Sequence, residues 1–266
     1  MRTVALRVAL GLALVLPGAL AAVAQTCRVP AQVVDTVLGT KYCANPAFSG
    51  VVDAFVQRLR QDVGVARQAG RLVIYMSTPI SPRGGGVERI NIELGAAVKA
   101  RLEKAYGAGA FILDPGVYQM PNVGTTSPGG SDYMVMWTRV LAGDDGAGRN
   151  FDMVHFTGPS DMRAFFGCGG DDLTGCLERW LVMRAATDAE LKRVADNPDT
   201  RRAFLRYYAM RASAAYSAGA HDEWNIFVKI NRKRTLGDYV AMFFDGRALS
   251  PAEMELEIAP GYEVKP

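Results

Sequence analysis

The side chains able to do chemistry in this chain gather where apolar runs end. Leu72 to Met76 stops at Ser77, Thr78 and Pro79, with Tyr75 just inside the run. Ala110 to Leu113 stops at Asp114, and Phe151 to Thr157 stops at Gly158-Pro159-Ser160-Asp161. Glu88 opens a periodic stretch after the first run, and His221-Asp222-Glu223 forms a polar triplet near the end. Asp161, Glu88 and His221 are the catalytic candidates; Tyr75, Ser77, Thr78, Asp114 and Ser160 are the candidate ligand contacts. A histidine beside two carboxylates has its imidazolium stabilised, which suits proton transfer near neutral pH. Each position also has a structural reading. An acid in a helix's first turn complements its dipole, Ser160 or Asp161 can cap a helix, and His155 within an apolar run reads as a core histidine. Gly84-Gly85-Gly86 either brings backbone amides to a phosphate or is a flexible surface loop; no Gly-Lys-Ser/Thr follows, so it is not a Walker A sequence. G-x-S-x-G, H-E-x-x-H and C-x-x-C are absent, so serine hydrolase, zincin and thioredoxin readings lack their main support.

The elements that must position these residues follow from periodicity. Leu72 to Met76, rich in branched and aromatic residues, predicts a buried strand. Ile90, Leu94, Val98 and Leu102 recur every four residues and predict a helix ending near Gly107 and Gly109. Ala110 to Leu113 predicts a second strand, so the three elements form a right-handed βαβ unit with parallel neighbours. Ligands in such sheets sit at the carboxyl ends of the strands, which directs attention to the loop Ser77 to Gly86. Further helices are expected at Phe48 to Ala66, Ser131 to Ala142, Leu173 to Ala186, Asp188 to Ala195 and Thr200 to Tyr216, with a third strand at Phe151 to Thr157. Ile226 to Ile230 reads as strand-like, Leu236 to Phe244 is another apolar segment, and Ser250-Pro251-Ala252-Glu253 reads as a helix start. Asp114 to Gly130, with three prolines, is long enough to be a lid, a substrate-contacting segment or a disordered loop.

The stretch VIYMSTPISPRGGGVERINIELGAAVKARLEKAYGAGAFILDPG resembles the opening of the nucleoside 2-deoxyribosyltransferase-like family, and the likeness extends loosely to the Phe151–Asp161 strand and turn. It implies a three-layer Rossmann-like α/β domain whose strand-end loops hold a nucleoside-type ligand. The implied chemistry is glycosyl transfer, in which an oxocarbenium-like centre needs a nearby anion and the departing base needs a proton donor. Asp161, Glu88 and Asp114 stand at matching places. The family's catalytic glutamate lies on a helix after a later strand, in a G-x-x-x-E-x-G context. This chain is read as lacking it, so Asp161 is expected to substitute or the transferase chemistry to be lost.

The expected organisation is a signal peptide over residues 1–24, a disulfide-tied segment over 25–46, the α/β core over 47–186, and a helical extension with a C-terminal tail over 187–266. Arg2 and Arg7 precede the apolar run Val8 to Leu16, and Ala22-Val23-Ala24 is a small-x-small cleavage site. The run is short of the roughly 20 residues that span a bilayer, so no stable membrane insertion is expected after cleavage. Cleavage implies an exported protein, periplasmic or secreted. Loss of residues 1–24 takes the formal charge from +3 to +1, 28 basic against 27 acidic residues. That balance names no nucleic acid or anionic membrane as partner. The spacing of the four cysteines suggests the local pairs Cys27 with Cys43 and Cys168 with Cys176, among the three connectivities four cysteines allow. No metal site and no cofactor is read. The expected partner is a small nucleoside-like molecule; the alternative is a non-catalytic binding or envelope-interaction protein.

Overall fold

The computed structural model describes residues 27–235 and 237–264, and the expected signal peptide lies outside them. The disulfide-tied entry segment forms an antiparallel pair. Strands β1 (Gln32–Asp35) and β2 (Lys41–Ala44) pair Val34 with Tyr42 and Val33 with Cys43, and the Cys27–Cys43 disulfide ties the approach to this ribbon. Helix α1 (Ser49–Gln68) buries Val52, Val56, Leu59, Val63 and Ala66, the three- and four-residue spacing that defines a helix face.

The predicted βαβ unit is present. Strand β3 (Leu72–Ser77), helix α2 (Glu88–Tyr106) and strand β4 (Ala110–Leu113) follow in turn, with Leu72 paired to Ala110 in parallel. Helix α3 (Gly130–Ala142) returns the chain to the other side of β3, where β5 (Met153–Phe156) pairs with it in parallel. The finished sheet has the order β4-β3-β5-β6-β7, where β6 (Ala241–Phe244) is parallel to β5 and β7 (Arg247–Ala248) turns back antiparallel at the edge. The chain reverses direction across the sheet at β3 and β5, and a crevice outside their carboxyl ends is where such sheets hold ligands.

Side chains alternate across β3, so Val73 and Tyr75 enter one core while Ile74 and Met76 enter the other. Helices α1, α3 and α8 (Ala218–Arg232) cover the first face. Helix α2 covers the second with α4 (Pro159–Phe166), α5 (Leu173–Ala185), α6 (Ala189–Asp196) and α7 (Pro198–Arg206). The result is a three-layer α/β, Rossmann-like fold. Helices α4 to α7 form an insertion between β5 and α8, stapled by Cys168–Cys176 and packed through Phe166, Trp180, Phe204 and Tyr208.

Two expectations change. The single helix read over Thr200 to Tyr216 breaks after α7 into a π-helical turn, Tyr207–Arg211, and a 3₁₀ turn, Ala214–Tyr216. The strand read at Ile226 to Ile230 is the middle of α8. Ile226, Phe227, Val228 and Ile230 are all buried there, and a helix enclosed on most sides gives a continuous apolar run that mimics a buried strand. Both α8 and β6 therefore belong to the core rather than to an extension. After a short helix α9 (Pro251–Met254), the tail runs back along α8. Among the described residues, no helix is long and apolar enough to cross a membrane.

Candidate active site

A cleft of about 730 Å³ opens at the carboxyl end of β3. Its floor is the strand-end segment Thr78 to Arg83 with Glu88; one wall is Gly130, Tyr133, Met134 and Trp137 of α3, and another is Gly219, Ala220 and Glu223 of α8. The α3 residues fall at positions i, i+3, i+4 and i+7, one face of the helix. Tyr207 and Arg211 of the π turn close the side toward the inserted helices. The proline-rich connection after β4 contributes Pro115, Gln119, Met120 and Asn122, and the tail contributes Tyr262. The long segment Asp114 to Gly130 is therefore a wall of the cleft, with the turn Pro115–Val117 and a bridge between Val123 and Thr126.

Glu223 is the buried carboxyl group among the described residues that line this cleft. Its Oε1 accepts from the Tyr75 hydroxyl at 2.7 Å and its Oε2 from the Ser77 hydroxyl at 2.5 Å. Tyr75 and Ser77 reach it because residues two apart on β3 point to the same face. Burial pushes the Glu223 carboxyl up to about 7, the two hydroxyl donors working against the rise and neighbouring Asp222 adding to it. Burial, then the charge of Glu223, holds the Tyr75 phenol well above its ordinary value, so it remains a donor. Trp137 stacks at a tilt on Tyr75, with ring centroids 5.3 Å apart, and fixes the phenol from the α3 side.

The strand-end loop is held rather than flexible. Asn91 donates to the carbonyl oxygens of Ile80 (2.8 Å) and Ser81 and accepts from the Tyr208 hydroxyl. The Tyr207 hydroxyl donates to the Ser81 oxygen at 2.9 Å. A Cβ on Gly85, whose φ is +119°, would lie 2.5 Å from the backbone of Ala203, and one on Gly86 would lie 2.6 Å from the Tyr207 ring. Glycine is needed here for close packing against the inserted helices.

Of the expected site residues, the cleft brings together Thr78, Glu88 and, beneath Glu223, Tyr75 and Ser77. The others lie elsewhere. Asp161 is buried at the start of α4, paired with Arg101 and bonded to His155 Nε2 and the Gly158 amide, both at 3.0 Å. Burial, with Arg101 nearby, pushes His155 down to about 4, so the neutral ring donates to Asp161. Asp161 is thus neutralised in the fold and does not line the cleft. Ser160 is tied to Asp245, its amide donating at 2.8 Å. Asp114 caps the turn after β4 through the Gly116 amide at 2.8 Å, and burial raises its carboxyl. His221 points to the tail, each ring nitrogen 2.8 Å from a carbonyl oxygen, one of Ala259 and one of Ala215. Asp222, beside it, accepts from the amides of Gly261 and Tyr262 at 2.8 and 2.7 Å. Among the described residues, no group of three His, Cys, Asp or Glu side chains converges to hold a metal ion.

The sequence reading named the triplet and chose His221 from it, whereas the helix turns Glu223 to the cleft. The available signal was Gly219-x-x-x-Glu223, the first five positions of the pattern read as missing, with Asn225 in place of the last glycine. Comparison with protein-family models, with curated proteins and with solved structures gives no match.

Proposed function

We propose that this chain is an exported N-glycosidase or glycosyltransferase acting on a nucleoside-type ligand, with Glu223 as the carboxylate that meets the anomeric carbon. The observation that carries this reading is a buried carboxylate gripped by two hydroxyl donors and opening into a cleft with aromatic walls. In the ionised form, Glu223 attacks C1′ of the sugar as the C1′–N bond breaks. The bonding pair leaves with the base, which takes a proton from the cleft. Water, or a second base, then attacks C1′ and releases the carboxylate. Glu88, exposed at the cleft, is the acid/base candidate. Tyr75 and Ser77 hold the attacking oxygens in place, and Tyr133, Trp137, Tyr216 and Tyr262 offer faces for the base. The position of Glu223 on the helix between the third and fourth parallel strands, in a Gly-x-x-x-Glu spacing, supports the family resemblance of the β3-α2-β4 unit. Two disulfides support passage through an oxidising compartment.

The test is free-base release from a panel of nucleosides, followed by chromatography. Wild type should release base, and Glu223→Gln should lower the rate by on the order of a thousandfold or more. Tight nucleoside binding with no base release in wild type would instead make the chain a binding protein.

A further inference from the structure

We propose that the cleft takes a phosphorylated nucleoside, with its phosphate held by Arg83 and Arg211. This inference rests on the glycosyl-transfer reading of the same site and adds the chemical class of the substrate. Arg83 belongs to the strand-end loop, and Arg211 is the last residue of the π turn. Both line the cleft that Glu223 closes. Neither forms an ion pair among the described residues, whereas arginines elsewhere, such as Arg67 with Asp152 and Arg139 with Asp53, are matched by carboxylates.

The geometry brings the two onto one piece of backbone. Gly84, the neighbour of Arg83, has φ +102°, and a Cβ there would lie 2.7 Å from Arg211 Nη1 and 3.5 Å from its Cδ. The Arg211 side chain therefore lies across the loop at the residue after Arg83, in the space a side chain at position 84 would take. Arg83 on the loop and the Arg211 guanidinium laid against it border the same cleft, and guanidinium donors suit a tetrahedral oxyanion. The cleft's carboxylates are Glu88, the acid/base candidate, and Glu223, the nucleophile, and both repel an anion, so phosphate belongs on the arginine side. The volume of about 730 Å³ accommodates base, sugar and phosphate together. A nucleoside monophosphate and a dinucleotide with an internal pyrophosphate share this chemistry.

The test is calorimetric titration of Glu223→Gln, which binds without turnover, with nucleosides, their 5′-monophosphates and a nicotinamide dinucleotide, alongside base release by wild type. Phosphorylated ligands should bind at least about tenfold more tightly than the parent nucleosides. Adding Arg83→Gln or Arg211→Gln should remove that gain while leaving nucleoside affinity within about twofold and the melting temperature unchanged, since both side chains are exposed. A monophosphate preference assigns a terminal phosphate and a dinucleotide preference assigns a pyrophosphate; either supports the proposal. Equal affinity for nucleoside and monophosphate, or a preference that survives both substitutions, overturns it. If nucleosides are cleaved and phosphorylated ligands are ignored, the phosphate assignment falls and glycosyl transfer stands; if nothing binds or reacts, both fall.

Discussion

Glu223→Gln should stabilise the protein in alkaline solution while abolishing the proposed base release. The folded protein raises this carboxyl from an ordinary 4.5 to about 7. The native state therefore holds the proton more tightly than the unfolded chain, and stability is lost as pH rises from about 4.5 through about 7. Each pH unit of that window is worth about 1.4 kcal/mol, so the buried charge costs about 3 kcal/mol at pH 8.5 and little at pH 4.5. Glutamine carries no charge, and the rotatable hydroxyls of Tyr75 and Ser77 can donate to its carbonyl or accept from its amide. The difference in stability between variant and wild type should thus grow by about 3 kcal/mol from pH 4.5 to pH 8.5. In melting temperature that is about 6 to 12 °C for a chain of this size. Scanning calorimetry of both proteins at the two pH values reads it directly, because every other titration cancels in the comparison. A difference that is the same at both pH values would refute the account of Glu223 as a buried, proton-holding carboxyl.

Tyr75→Phe removes a donor that favours the ionised Glu223, so the acidic limb of the base-release profile should move up by about one pH unit; a limb that stays in place would separate Tyr75 from the chemistry. Gly85→Ala forces a side chain onto the Ala203 backbone at a positive φ and should cost about 2 to 4 kcal/mol, read from the denaturant midpoint. Asp222→Ala leaves the Gly261 and Tyr262 amides without their acceptor. The tail should then be cut by protease at concentrations that spare wild type, and ligand affinity should fall as Tyr262 leaves the cleft wall.

The β3-α2-β4 unit is legible in the sequence because each of its signals is local: an apolar run, a four-residue repeat and a turn between them. The local disulfides are legible for the same reason, short separations that nearby strands and turns can close. Helix α8 is not, because burial on most sides replaces the amphipathic stripe by a continuous run of branched and aromatic residues. That mistake also hides the catalytic candidate. With a strand read only from Ile226, His221, Asp222 and Glu223 fall before it and no face is assigned to them; on the helix they fan out by about 100° each, sending Glu223 to the cleft, Asp222 to the tail amides and His221 to the carbonyls of Ala215 and Ala259. Asp161 misleads for a different reason. Its neutralising partner Arg101 lies 60 residues earlier on α2, and no spacing rule joins them. The triple glycine reads as a phosphate-binding turn or a flexible loop because the surface it packs against, Ala203 and Tyr207, belongs to the distant insertion.

The proposed bond between Glu223 and the sugar is tested most directly by acid-quenching the wild-type protein during incubation with nucleosides and their 5′-monophosphates and locating any added sugar mass by peptide mass spectrometry. A pentosyl or pentosyl-phosphate adduct on the peptide containing Glu223, absent from Glu223→Gln, is the predicted result. An adduct at another carboxylate, or base release that persists at the wild-type rate in Glu223→Gln, would contradict it.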